Sequence, residues 1–147
     1  MPKSFQQKLK ILYLMRVFAE KTDEAHPMSV KDLIAYLENF GIHAERKTIY
    51  DDIETLRVFG MDIMNRRERP SGFYLASREF EVAELKLLVD AVQSSRFLTT
   101  GKSRQLIQKL ESLTSIYQAK DLQRQVIVQN RVKNTNENIY YNIDEIH

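Results

Sequence analysis

A mainly helical fold with one small β-hairpin is what this sequence predicts. Three observations carry that expectation. Apolar residues recur at helical spacing through Gly60, two of those helical runs are separated by only a few residues around Gly41, and aromatic and aliphatic residues flank a Pro70–Ser71–Gly72 connection.

The first helix is expected over about Gln6–Thr22. Leu9, Leu12, Met15 and Phe18 recur at steps of three, with Ile11 and Leu14 widening the stripe, while Lys8, Lys10, Arg16 and Glu20 take other faces. Pro27 then disfavours a helical residue just before it. A second helix starts at Ser29, whose hydroxyl can satisfy orphan amides of the next turn, with Asp32 three residues on in a near capping-box arrangement. Val30, Leu33, Ile34 and Leu37 form its buried stripe, and Gly41 supplies the left-handed residue that ends it.

The third helix follows at once, over Glu45–Gly60. At about 100° per residue, Ile49, Ile53 and Leu56 fall within an arc of roughly 60°. Turned so that this arc meets a core, the helix presents Lys47, Thr48, Tyr50, Asp51 and Glu54 outward, with Arg46 and Arg57 at an edge. Local pairs are expected between Lys47 and Asp51 and between Glu54 and Arg57, and Asp52 leans along the core edge to tie the helix to a neighbour. Two amphipathic helices on a tight glycine-containing turn make a helix-turn-helix. Ile63–Met64 and "FYLA" then read as strands around the basic loop "RRERPSG". Helices followed by such a hairpin make a winged helix-turn-helix.

After "SREFE" the pattern returns to helix. Val82, Leu85, Leu88, Val89 and Val92 give one stripe, and a helix from about Lys102 carries Leu106, Ile107, Leu110 and Leu113. "VIV" at 126–128 reads as a short strand, "NTNEN" as a polar loop, and Ile139, Ile143 and Ile146 as another amphipathic segment. The expected organisation is therefore a winged helix-turn-helix domain over 1–78, a helical connector and dimerisation region over 79–120, and the start of a further region over 121–147.

Charge is unevenly spread. Residues 1–78 hold 13 Lys/Arg against 11 Asp/Glu, and 79–147 hold 9 against 9, so the whole net charge of +2 lies in the first part. With no cysteine there is no disulfide framework, thiol nucleophile or thiolate metal site. His26, His43 and His147 are scattered without metal-ligand spacing, and adjacent Asp51 and Asp52 point about 100° apart on a helix. No phosphate-cradling glycine loop is present. Catalytic and metal residues are thus expected to be none, and no cofactor is implied. Neither a secretory leader nor an apolar run near bilayer length stands out, so the cytoplasm is the expected compartment, without a membrane partner.

The expected partner is double-stranded DNA. The third helix, at about 45–59, would enter the major groove, Lys47 reaching guanine or phosphate, Thr48 a phosphate or a thymine methyl, Tyr50 a phosphate, and Asp51 a cytosine amine. Its N-terminus, with Arg46, attracts phosphate, and Ser29 at the start of the second helix joins the contacting set. The loop over 66–72 carries Arg66, Arg67 and Arg69 against one Glu68, suited to backbone or minor-groove contact. The apolar stripes of 79–120 offer more surface than two helices bury against each other, so a homodimer is expected. It would hold two reading helices about 34 Å apart. The rival reading is a winged helix that contacts only protein, to which the acids on the outer face of the third helix lend support.

"KTIYDDIETLRVFGMDI", the basic turn and "SGFYL" together resemble the winged helix-turn-helix of DeoR-like bacterial transcriptional regulators. Lys47, Thr48, Ile49, Tyr50, Asp52, Ile53, Leu56, Gly60, Ile63, Gly72 and Phe73–Tyr74 match that pattern in order, with a departure at Asp51, where such regulators often carry a basic residue. "FEVAELKLLVDAVQSSRFLTTGKSRQLIQKLESL" is similar to the connector of WYL-domain regulators, and "NRVKNTNENIYYNIDEIH" to the run into their sensor. The resemblance implies a β-rich sensor of more than a hundred residues after this point. The chain therefore reads as truncated before its WYL domain, with the effector site absent along with it.

Overall fold

In a computed structural model the described residues are 3–124 and 126; the "NTNEN" and "IYYNIDEIH" segments lie outside them. Seven elements run in the order α1 (Lys3–Lys21), α2 (Val30–Glu38), α3 (Arg46–Phe59), β1 (Ile63–Arg66), β2 (Gly72–Leu75), α4 (Val82–Ser94) and α5 (Thr100–Glu111). Residues 116–124 are again helical, as is Val126, where a strand was expected. The described residues are thus mainly helical with one two-stranded antiparallel sheet, and the chain divides into two compact units. One comprises Met1–Glu81 with Leu113–Ser115, the other Val82–Ser112 with Ile116–His147. Among the described residues no helix is long and apolar enough to cross a membrane.

The core of the first unit is built by α1–α3 and closed by the hairpin. Leu14, Val17, Phe18, Leu33, Leu37, Ile49, Ile53 and Leu56 are almost wholly buried, with Ile63 and Phe73 joining from the strands. The face that α1 buries is rotated from the expected one. Leu12 is 58% exposed, whereas Lys10 is buried. The cause lies on α3. Lys10 Nζ stands 2.8 Å from Asp52 Oδ2, in ionic contact but off the line of a hydrogen bond. Asp52 thus makes the tie to a neighbouring helix that its place at the edge of the apolar arc suggested.

Helix ends follow the residues that make them. Ser29 Oγ accepts from the Asp32 amide at 3.1 Å while the Asp32 carboxylate accepts from the Ser29 amide at 3.0 Å, a complete capping box. The turn from α2 closes through Gly41 N–H to Glu38 O at 2.9 Å and Ile42 N–H to Leu37 O at 3.1 Å, and Ile42 hooks back into the core. α3 ends at Gly60, whose φ of 125° opens a route for the Met61 amide back to Leu56 O at 3.0 Å.

The hairpin pairs Ile63 with Leu75 and Arg66 with Gly72 in an antiparallel register. Its second strand is also stitched to the chain ahead of α2. Met28 and Phe73 exchange both backbone hydrogen bonds, at 2.9 and 2.8 Å. Gly72 makes this approach possible, because a Cβ there would sit 2.5 Å from the Met28 carbonyl carbon, and its φ is 146°. Thr22 completes the stitching. Its hydroxyl donates to Phe18 O at 2.7 Å and accepts from the Leu75 amide at 3.0 Å. Arg78 then caps the carbonyl end of α1, donating to Ala19 O at 2.7 Å and Thr22 O at 2.6 Å. Burial lowers the pKa of this guanidinium, opposed by the charge of Asp23.

In the second unit Leu85 and Val89 of α4, Ile107 of α5 and Leu122 of the following helical stretch are buried. α5 starts ahead of the expected Lys102, because the Thr99 hydroxyl accepts from the Lys102 amide at 3.1 Å and caps the helix. Leu87 and Leu88 of α4 remain 70% and 37% exposed.

Candidate nucleic-acid interface

The residues singled out in the sequence fall on α3, on the cap of α2 and on the hairpin. With Ile49, Ile53 and Leu56 inward, α3 turns Arg46, Lys47, Tyr50, Asp51 and Glu54 to solvent and leaves Thr48 half-buried. Lys47 makes no ion pair with Asp51; among the described residues neither charge has an ionic partner. Glu54 and Arg57 do pair, at 3.1 Å. The Thr48 hydroxyl donates to Glu45 O at 2.8 Å, so its proton is spent and its methyl and lone pairs are what it has left to offer.

Arg46 and Tyr50 form one group. The guanidinium donates to the phenol oxygen at 3.3 Å and lies 5.8 Å from the ring centre. The other edge of Tyr50 meets Phe73 of β2, with ring centres 6.1 Å apart at a steep angle. Arg57 strengthens the same junction, its Nε donating to Ile63 O at 2.9 Å. The outer face of α3 and the hairpin are therefore held in one fixed arrangement, and the Met28–Phe73 pairing brings the Ser29 cap alongside.

The three hairpin arginines divide. Arg66 is half-buried and occupied, donating to Glu24 O at 2.6 Å and to Arg69 O at 3.4 Å. Its task is to hold the loop against the segment after α1. Arg67 and Arg69 are exposed, and among the described residues neither has an ionic partner. Ser29 is committed to its cap, where it still has a proton to donate.

Two features escaped the sequence reading. Lys31 is exposed in the same first turn of α2 as the Ser29 cap, and its position two residues past a capping serine was the available signal. Arg57 is legible in the sequence as an edge residue paired with Glu54, but its bond to the Ile63 carbonyl has no local signature. Among the described residues no group of three or more His, Asp or Glu side chains is placed to hold a metal ion. Comparison with protein-family models, with curated proteins and with solved structures returned no match.

Proposed function

We propose that this chain is a sequence-specific DNA-binding transcriptional regulator whose first unit acts as a winged helix-turn-helix. On this reading α3 is the reading helix, with Lys47, Tyr50 and Arg46 as its leading contacts, and Arg67 and Arg69 grip phosphates or a minor groove from the wing. One observation carries it. The polar face of α3 is open to solvent and shares a rigid junction with a hairpin whose loop holds two exposed arginines without an ionic partner among the described residues. The resemblance to DeoR-like regulators supports the same assignment. A homodimer, spacing two reading helices by about 34 Å, is the natural form for such a head.

A second reading has its own observation. At the end of α3, Val58 is 84% and Phe59 73% exposed, an apolar pair better suited to a protein than to a phosphate backbone. Selection of bound duplexes from random DNA, followed by gel shift at low and moderate salt, separates the two. Under the DNA reading one motif is enriched, and charge reversal at Arg67 and Arg69 abolishes the shift while Phe59→Ser leaves it intact. No enrichment, with no shift at low salt, sinks it in favour of protein contact.

A further inference from the structure

The second unit carries a half-open cavity of about 360 Å³ between the end of α4, α5 and the helical stretch that follows. That lies within the size range of small-ligand pockets. Its lining mixes polar side chains with apolar surface, and it contains one acid and one base, Glu111 and Arg104.

Glu111 is only 8% exposed. Its Oε2 accepts from Gln123 Nε2 at 2.9 Å, a neutral partner, and among the described residues no cation pairs with it. A carboxylate withdrawn from water costs free energy unless an opposite charge or several donors compensate it. Arg104 lines the same space, exposed on its outer side, and likewise has no ionic partner among the described residues. Seven residues along one helix bring the two to the same face, about 10 Å apart along the axis. They do not neutralise each other. In the same lining Ser103, Thr100 and Gln108 offer hydrogen bonds, and Leu98 and Ile107 offer apolar contact.

We propose that this cavity binds a small zwitterion with separated charges, of the ω-amino acid class. Its ammonium group pairs with Glu111 at the buried end, its carboxylate meets the Arg104 guanidinium at the open end, and its methylene chain lies along Leu98 and Ile107. A purely anionic ligand leaves Glu111 uncompensated, and a purely cationic one leaves Arg104 idle. The assignment is independent of DNA binding by the first unit.

Calorimetric titration of the full chain with ε-aminocaproate, in phosphate buffer free of amines, tests it. Saturable binding is expected, with hexylamine and caproate each at least about tenfold weaker, since each forfeits one charge-assisted contact. Arg104→Gln, at an exposed position, should weaken ε-aminocaproate about tenfold, and Glu111→Gln should weaken it at least as much. If Glu111→Gln does not fold, as read by circular dichroism, Arg104→Gln and the two single-charge analogues still decide. Absence of saturable binding overturns the proposal, as does hexylamine or caproate binding as tightly as the zwitterion, or unchanged affinity in Arg104→Gln.

Discussion

Lys10 Nζ lies 2.8 Å from Oδ2 of Asp52, and both side chains are nearly excluded from water, at 2% and 12% exposure. The pair joins α1 to α3 inside an otherwise apolar core. Breaking such a pair from one side strands a charge, whereas replacing both members removes the desolvation cost as well as the attraction. Lys10→Met alone, and Asp52→Leu alone, should therefore each cost about 3–5 kcal/mol in urea denaturation. The double variant should recover most of that loss. Additive losses in the double variant would show that the two charges do not compensate each other.

Gly72 and Gly101 make an opposed pair of tests. A methyl group at Gly72 would collide with Met28 backbone atoms at 2.5 and 2.6 Å, with φ at 146°. Gly72→Ala should cost on the order of 2 kcal/mol or more and disrupt the Met28–Phe73 pairing, which amide chemical shifts would report. Gly101, in the first turn of α5, has nothing within 4 Å of a built Cβ. Gly101→Ala should raise stability by about 0.4–1 kcal/mol.

If the hairpin loop contacts phosphate, salt is the instrument that reads it. Each phosphate neutralised contributes roughly 0.9 to the slope of log affinity against log salt. Arg67→Ala with Arg69→Ala should flatten that slope by about 1.8 in all and weaken every duplex alike, without changing the selected motif. Arg66→Ala should act differently. Its guanidinium holds the Glu24 and Arg69 carbonyls, so its loss should lower the melting temperature first.

Tyr36 provides a signature in alkali. Burial, and secondarily the charge of Glu20, raise the pKa of its phenol above the ordinary 10.0. The fold therefore favours the neutral phenol. That stabilisation is complete below the ordinary phenol range and is lost as pH rises through the raised value. Ultraviolet titration should find one tyrosine ionising late, together with unfolding, and Tyr36→Phe should flatten the alkaline decline in stability.

Much of the first unit was readable from local chemistry. The Ser29–Asp32 capping box, the Gly41 turn, the Ile49–Ile53–Leu56 arc and the two strands all arise from neighbours within a few residues. What escaped reading was non-local. Lys10 has the spacing of a core residue and the charge of a surface one, and only a carboxylate more than forty residues later reconciles the two. Arg78, 59 residues after Ala19, shows nothing in its own neighbourhood of its cap on α1. Arg66, Arg67 and Arg69 look equivalent in the sequence, yet the first is spent on backbone carbonyls. Lys47 and Asp51 had the right spacing to pair and do not, as befits a contact worth only a few tenths of a kcal/mol. The cavity beside Glu111 had no linear signal, because its walls come from α4, α5 and the later helical stretch, which only the fold brings together.

The mutual hydrogen bonds of Met28 and Phe73 have a mechanical corollary. Met28 immediately precedes the residue that caps α2, so peeling the hairpin away also frays the first turn of that helix. Strain applied at the loop tip is thereby delivered to a helix whose sequence lies some forty positions upstream. The two amides should trade hydrogen for deuterium as a single event, at one rate.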